Sequence, residues 1–335
     1  MAPSALTPGD LMRRLEEPES VENPYPIYHA IRGQAPLAYV PYLHGDGQHW
    51  IVTRYDTADA ILKDLRVWKD IRRLGAPEDS LLAHSMLFRD PPDHTRLRGL
   101  VNRAFTPVMV ERLRPRIQDI VRELANRLTD AAEVDFMQAF AVPLPILVIA
   151  DILGVPAEDR AKFRTWSNDI VGVSEEAGNE ATKAMGQYFD ALIRDKRQHP
   201  SDDLLSALMA LEESGDRLSH AELLAMSVSA PCTVIGSPVL QPGQPVTVMI
   251  GAANRDPAQF PDPDRFDVSR TPNRHLAFGR GIPVYLGAPV ARLEARIAWT
   301  EMLGRFPGLT WSGAFERRPN LMFRGLNRLM VACRA

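Results

Sequence analysis

The sequence predicts a mainly α-helical protein with small β-sheets. Apolar residues recur with helical spacing for about five turns over 110–128, and further helical segments follow at 143–153, 158–171, 181–197 and 201–211. Alternating apolar and polar residues at 37–40, at 50–53 and from 306 onward are typical of short strands. The middle of the chain is therefore expected to be helical, with β-structure near both ends.

The composition is that of a globular protein with a large core. The chain has 335 residues, of which 45% are hydrophobic, and it contains no internal repeat. These features predict one large domain or two closely packed ones, and we expect a single domain over 1–335. The formal net charge of −3 gives no general basic field. It therefore predicts neither nucleic acid nor an anionic membrane as a partner.

Targeting signals and cysteine content predict a cytoplasmic protein. The longest uncharged apolar run, 136–150, contains Pro143 and Pro145 and is too short to span a bilayer. The polar start of the chain has no signal-peptide core. Cys232 and Cys333 are too few for a disulfide framework and have no CxxC neighbour, which favours a reducing compartment and predicts no zinc site.

The N-terminal region is expected to form a β-hairpin followed by a helix. The segments LAYV and WIVT flank a turn that contains Asp46 and Gly47. Asp56 and Thr57 suit the start of a helix over 58–65. A small β unit therefore precedes the helical middle.

A histidine and an arginine share one face of the helix that is predicted after Pro92. Leu97 and Leu100 belong to the apolar face of this helix. His94 and Arg98 are four residues apart, so both cationic groups can reach one anion. The alternative is an exposed basic helix face.

Single residues predict three features of the helical middle. Pro115 interrupts the long apolar pattern, which predicts two consecutive helices. Ser201 is expected to cap the helix over 201–211. A stripe of large side chains is expected to belong to the core rather than to a cofactor site. The stripe consists of Met185, Tyr188, Phe189 and Leu192.

A short helix is predicted after Ser219. Ser219 and Glu222 have the spacing of a capping box. Pro231 then stops the helix after about three turns.

The stretch FGRGIPVYLG, from Phe278 to Gly287, is the main candidate for a functional loop. Gly279 and Gly281 predict a tight turn, and Gly287 leads into an amphipathic helix with Leu293, Ile297 and Ala298 on one face. A phosphate-binding G-x-G-x-x-G loop is the alternative, but that pattern needs a glycine where the chain has Val284.

The same loop resembles the haem-ligand loop of the cytochrome P-450 monooxygenases, which reads Phe-Gly-x-Gly-x-His-x-Cys-x-Gly before a helix carrying Ala-Arg. The matching residues are Phe278, Gly279, Gly281, Gly287, Ala291 and Arg292. Tyr285 stands where the family has its cysteine, and Pro283 where it often has histidine. The resemblance covers nearly the entire chain and implies a cytochrome P-450-like protein of bacterial secondary metabolism.

The resemblance also implies a cofactor site. In the family, the histidine and arginine that match His94 and Arg98 bind the haem propionates. If haem is bound, the site comprises His94, Arg98, Phe278, Gly279, Gly281, Tyr285 and Gly287, with Tyr285 as the metal ligand. A phenolate ligand needs a nearby cation, for which Arg280 and Arg292 are the candidates. Because the cysteine is absent, we expect no bound cofactor. If the family's cofactor pocket is retained, the cofactor that it would hold is haem.

An internal deletion follows from the same resemblance. At the junction of Ala230 and Pro231 the chain passes from the start of the family's long central helix to a strand well beyond it, so the central and following helices are expected to be shortened or missing. The family's Glu-x-x-Arg pair does not occur between Pro231 and Arg274. Arg265 matches the arginine that joins this pair, and we expect it to be exposed or paired anew.

Three functions remain open. The first is a non-oxidative partner or binding scaffold, the second is a haem-binding monooxygenase- or peroxidase-like enzyme with Tyr285 as ligand, and the third is a haem-free cyclase or isomerase that holds a hydrophobic small molecule. A decayed gene product is a further alternative. No spacing of residues identifies a catalytic group.

The shortened helix also predicts association. Uncovered apolar surface favours a hetero-complex or a homo-oligomer, and the alternative is a smaller, closed core. The candidate contact residues are Leu223, Leu224, Met226, Val228, Val234 and Ile235.

Overall fold

The computed structural model describes residues 6–43, 47–75, 80–128, 133–170, 174–212, 218–229, 244–281, 285–318 and 324–333. The α-helices are α1 Pro8–Arg13, α2 Pro18–Glu22, α3 Tyr25–Gln34, α4 Tyr55–Lys63, α5 Asp93–Ala104, α6 Pro107–Arg112, α7 Arg114–Asn126, α8 Pro143–Ile152, α9 Arg160–Ile170, α10 Glu175–Gln198, α11 Leu204–Glu212, α12 His220–Ser229, α13 Ile250–Ala253 and α14 Ala288–Arg305. The strands are β1 Leu37–Pro41, β2 Gln48–Val52, β3 Val134–Asp135, β4 Val246–Val248, β5 Thr310–Arg317 and β6 Leu326–Ala332. The predicted class, mainly α with small sheets, is confirmed.

Short 3-10 turns connect several of these elements. They are Arg14–Glu16, Ile71–Leu74, Leu81–His84, Met86–Phe88 and Ala157–Asp159, and a π-helical turn spans Met137–Ala141.

The chain divides into two compact units. The first consists of Met1–Lys69 and Ile235–Leu286, and the second of Asp70–Val234 and Gly287–Ala335. The single domain over 1–335 stays a prediction.

The first unit is built on the predicted hairpin. β1 pairs antiparallel with β2, and β4 joins β2 in parallel to give the order β1-β2-β4. Gly47 in the hairpin turn has φ 107°, a left-handed conformation that glycine adopts without a Cβ clash. α4 begins at Tyr55, three residues before the predicted start, and its buried Ala58 packs with Val52, Val246 and Phe260.

The second unit has a helical core. Apolar side chains of α7, α8 and α14 form one cluster that includes Ile117, Val121, Leu124, Val148 and Ile297. β3, β6 and β5 form an antiparallel sheet in that order, which confirms the terminal β-structure. The cluster gives the second unit a core of its own.

Pro115 separates two helices, and the stripe of large side chains on α10 is part of the core, as the sequence predicts. Pro115 lies in the first turn of α7, where no backbone N–H is needed, so α6 and α7 are separate helices. Met185 and Phe189 are fully buried, as the core stripe on α10 requires.

The cap of α11 differs from the prediction. The helix begins at Leu204, and the backbone N–H of Ser206 donates to the Asp203 carboxylate at 2.8 Å. Ser201 instead donates its hydroxyl to Asp203 at 2.5 Å and accepts a hydrogen bond from Lys196. Ser201 is therefore not the cap, because Asp203 stands closer to the first turn and offers a charged acceptor.

The short helix α12 is confirmed together with its capping box. Ser219 N donates to Glu222 at 2.7 Å, and Glu222 N donates to the Ser219 hydroxyl at 3.2 Å. Leu223 and Val228 are each 1% exposed, so their assignment as contact residues for a partner is wrong. They close the core instead, since α12 packs on α10 and on the turn Leu81–His84.

Two predictions near α12 lie outside the described residues. The junction of Ala230 and Pro231 is one, and the contact residues Val234 and Ile235 are the other. In the part of the chain that the structure describes, no helix combines the length and apolarity that crossing a membrane requires.

Candidate functional site

The glycine loop of the first unit is held in a conformation that requires glycine. Gly279 and Gly281 have φ values of 73° and 64°, in the left-handed region that L side chains rarely adopt. A Cβ on Gly281 would lie 3.0 Å from the carbonyl oxygen of Leu62 and 3.2 Å from Cα of Lys63. Gly281 therefore lets the loop approach the backbone at the end of α4.

Tyr285 is tied to the start of the same loop. Its backbone N–H donates to the carbonyl oxygen of Phe278 at 2.8 Å. The two rings lie nearly parallel, with centroids 6.3 Å apart and planes at 11°. The structure thus brings Phe278 and Tyr285 together, and both side chains are half-buried.

Arg280 points to partners on α4. Its Nε lies 3.5 Å from the Asp59 carboxylate, and its Nη2 donates to the hydroxyl of Tyr55 at 3.5 Å. The Tyr55 hydroxyl in turn donates to the carbonyl oxygen of Arg274 at 2.6 Å. Arg280 and Arg292 are the two cations expected to favour the phenolate form of Tyr285. Arg280 is paired with a carboxylate, and Arg292 on α14 is exposed.

His94 and Arg98 lie one turn apart on α5 in the second unit. His94 is 3% exposed, so an exposed basic face does not describe it. Arg98 is half-buried, and burial lowers the pKa of its guanidinium. The role of His94 and Arg98 in holding an acidic group stays a prediction.

The predicted site residues are divided between the two units. Phe278, Gly279, Gly281 and Tyr285 belong to the first unit, whereas His94, Arg98 and Gly287 belong to the second. Gly287 directly precedes α14 with φ −74°, and its carbonyl oxygen accepts from Ala291 N at 2.9 Å.

Arg265 has the exposure that the loss of the family pair predicts. Its side chain is exposed and makes no ion pair with any described residue. The proposed local pair is absent among these residues because Asp264 binds Arg255 instead, at 3.0 Å. The backbone N–H of Arg265 donates to the carbonyl oxygen of Asp262 at 3.0 Å, which closes a local turn.

Sequence reasoning missed an acidic group on α14. Burial raises the pKa of Glu294 to about 7, so this carboxyl is partly protonated at neutral pH. The only sequence signal is its place beside Leu293 in the apolar face of the helix.

The donor set does not fit a thiolate-ligated haem. By the resemblance of the loop, Tyr285 stands where the family has its cysteine, and burial raises the pKa of the Cys333 thiol, which lies just after β6. Cys232 lies outside the described residues. Within the described ranges, no three histidine, cysteine or acidic side chains gather in a metal-binding group.

Comparison with known proteins connects the chain to one family. The family model described as Cytochrome P450 matches residues 217–314. The chain is 35% identical to "Polyketide biosynthesis cytochrome P450 PksS" of Bacillus subtilis, over 84% of this chain and 88% of that protein. It is 37% identical to "Cytochrome P450 monooxygenase PikC" of Streptomyces venezuelae, over 93% of this chain and 91% of that protein.

Solved structures give the same result. The Bacillus subtilis PksS structure superposes with a TM-score of 0.87 at 32% identity and covers 96% of this chain and 99% of that chain. A structure titled P450BioI in complex with hexadec-9Z-enoic acid ligated Acyl Carrier Protein superposes with a TM-score of 0.82 at 30% identity, over 94% and 100% of the two chains.

The alignments also agree with a shortened chain. The alignment with PksS extends over 358 positions although only 84% of this chain takes part, and the chain has 335 residues. The relative therefore contains positions that have no counterpart here.

Proposed function

The chain belongs to the cytochrome P450 family, and from that premise we propose that it serves bacterial secondary metabolism as a non-oxidative partner or binding scaffold. The observation that carries this proposal is Tyr285, which stands in the ligand position of the loop and stacks on Phe278 with the ring planes at 11°. Thiolate ligation is what favours O–O cleavage in this family, and a neutral phenol does not supply that electron donation.

The surroundings of Tyr285 support the proposal. A phenol has a pKa near 10, and a phenolate ligand needs a metal or a cation to lower it. Arg280, the nearest cation in the loop sequence, is 3.5 Å from Asp59. Asp59 also pairs with Lys63 at 2.5 Å, so it offsets the charge of Arg280 only in part. The guanidinium of Arg280 nevertheless contacts Asp59 and Tyr55 of α4.

A second candidate is a haem protein in which Tyr285 is the ligand. The relatives are named as monooxygenases or as cytochromes P450, which favours haem. The burial of His94 and the lowered pKa of Arg98 also suit two groups that hold an acidic part of a cofactor. In this candidate, His94 and Arg98 would bind the acidic groups and Tyr285 would bind the metal.

For the partner, we propose a protein that delivers a hydrophobic small molecule. P450BioI was solved with an acyl carrier protein that bears a fatty acid. A partner of this kind suits a member of the family that no longer performs the oxidation itself.

The test is the absorbance spectrum of the purified protein with and without added haemin. We expect no stoichiometric Soret band in either sample. A stoichiometric band that Tyr285→Phe abolishes would establish the second candidate. Tyr39→Phe is the matched control, because Tyr39 is a 43% exposed tyrosine on β1 of the same unit; it should leave the spectrum unchanged.

A further inference from the structure

The first unit contains a cavity, lined in part by charged side chains, that the proposed function does not use. Its volume is about 620 Å³, and it lies where α3, the start of α4 and the residues after α13 meet. The charged side chains that line it are His29, Arg32, Arg54, Asp56 and Asp256. The two arginines and the two carboxylates balance formally, so a site for an anion depends on how these four groups are paired.

The two carboxylates in the lining are already engaged by backbone and hydroxyl groups. Asp256 accepts from the backbone N–H groups of Tyr55 at 2.8 Å and Ala258 at 3.1 Å. Asp56 accepts from the N–H and the hydroxyl of Thr57, at 2.6 and 3.0 Å. Arg54 forms no ion pair within 4.0 Å with either carboxylate or with any other described residue.

Arg54 retains most of its donors. It is half-buried, and its single hydrogen bond within the described ranges runs from Nη2 to the carbonyl oxygen of Arg32 at 3.3 Å. A guanidinium carries five N–H donors, so four of them are available to a ligand. Arg54 is thus the lining arginine whose guanidinium has no ion pair with a described residue and the most free N–H donors.

Arg32 places a second positive charge beside the first. Its side chain donates to the carbonyl oxygens of Thr53 at 3.1 Å, of Arg255 at 3.2 Å and of Ala252. Burial lowers the pKa of Arg32 and the charge of Arg54 adds to this lowering, while Asp256 and Asp264 oppose it. The two carboxylates thus offset the charge of Arg32, and the guanidinium that has no ion pair with a described residue is that of Arg54.

His29 adds a polar atom without a protein partner. Its Nε2 is buried and has no hydrogen bond among the described residues, and the nearest carboxylate oxygen, on Asp264, is 3.9 Å away. A buried polar atom without a partner is uncommon and costs free energy. A ligand that reached Nε2 would remove this cost.

We propose that this cavity binds a small oxyanion, the phosphate or carboxylate group of a compact metabolite. Arg54 is the principal binding residue, and Arg32 and His29 contact the anion from either side. The fork of donors on arginine suits the planar or tetrahedral oxygens of such groups. This site does not depend on haem or on Tyr285.

Isothermal titration of the full chain at low salt tests the proposal. Inorganic phosphate and succinate are titrated separately, and the tighter of the two identifies the source of the oxyanion. We expect one saturable site, and a loss of affinity of at least about tenfold in Arg54→Gln. Arg265→Gln is the control, because it removes the same charge in the same unit. Arg265 is exposed and makes no ion pair with any described residue.

Three outcomes would overturn the site. They are the absence of saturable binding of either anion, an equal loss of affinity in Arg54→Gln and Arg265→Gln, and unchanged affinity in Arg54→Gln. If circular dichroism shows that Arg54→Gln does not fold, Arg54→Lys replaces it. That variant keeps the charge but loses the fork, and it is expected to weaken binding by a smaller factor.

Discussion

The carbonyl oxygen of Phe278 accepts a hydrogen bond from the backbone N–H of Tyr285 at 2.8 Å, and the rings of the same two residues stack. The loop between them is therefore closed by its own backbone. Because Gly281 lies inside this closure with φ 64°, the shape of the loop depends on a residue without a Cβ.

Gly281→Ala is expected to destabilise the protein. The substitution forces a non-glycine residue into the left-handed region and places its Cβ 3.0 Å from the carbonyl oxygen of Leu62. A strained backbone of this kind costs about 1–3 kcal/mol. Denaturant unfolding measures the change in the free energy of unfolding. Gly99→Ala is the control, since a Cβ at Gly99 meets nothing within 4 Å. Alanine is favoured over glycine in a helix by about 1 kcal/mol, so this variant should not lose stability. Equal losses of stability in both variants would contradict the role of the left-handed conformation at Gly281.

Features that depend on neighbours in the chain were predictable from the sequence. The capping box of Ser219 and Glu222 and the break before Pro115 follow from local rules, and both are present. The cap of α11 shows the limit of such rules. Ser201 and Asp203 are both good caps in isolation. Asp203 is the cap because it directly precedes Leu204, whereas Ser201 is held by Lys196 of α10, a contact that local rules do not predict.

The candidate site was predictable in its residue types but not in its contacts. The glycines of the loop identify its conformation, because only glycine suits φ 73° and 64°. The pairing of Arg280 with Asp59 joins residues that are far apart in the chain. No periodicity connects them, and the same holds for Arg32 and Arg54 beside Asp256.

The stability of the first unit is expected to fall in acid because of His49. This residue of β2 is 6% exposed, its Nδ1 lies 3.0 Å from the hydroxyl of Thr247, and burial holds its pKa below the ordinary 6.5. Between the folded and the unfolded pKa, the unfolded chain binds the proton more readily than the folded chain. The free energy of unfolding therefore falls as the pH drops below about 6.5.

Denaturant unfolding at pH 7.5 and at lower values down to about pH 5 measures this dependence. His49→Gln removes the titrating group and should make the dependence on pH shallower. The unmodified protein, measured at the same pH values, is the reference. Identical pH profiles for His49→Gln and the unmodified protein would remove His49 as the cause.

The short helix α12 packs inside the second unit, although the sequence predicts that it drives association. Leu223 is 1% exposed, and the hydroxyl of Ser229 at the end of the helix lies 2.9 Å from the hydroxyl of Ser85. α12 is thus anchored inside the second unit. Leu223→Ala should lower the free energy of unfolding by about 2–5 kcal/mol, because it leaves a cavity in the core.

The same variant separates a core role from a role in association. Analytical ultracentrifugation should show the same association state for Leu223→Ala and the unmodified protein, since a buried side chain contributes no contact area to a partner. Leu65→Ala is the control: Leu65 is 68% exposed, and its truncation should change the free energy of unfolding by no more than about 0.5 kcal/mol. If Leu223→Ala kept its stability but lost association, Leu223 would be a partner contact after all, and the closed core around α12 would be the wrong description.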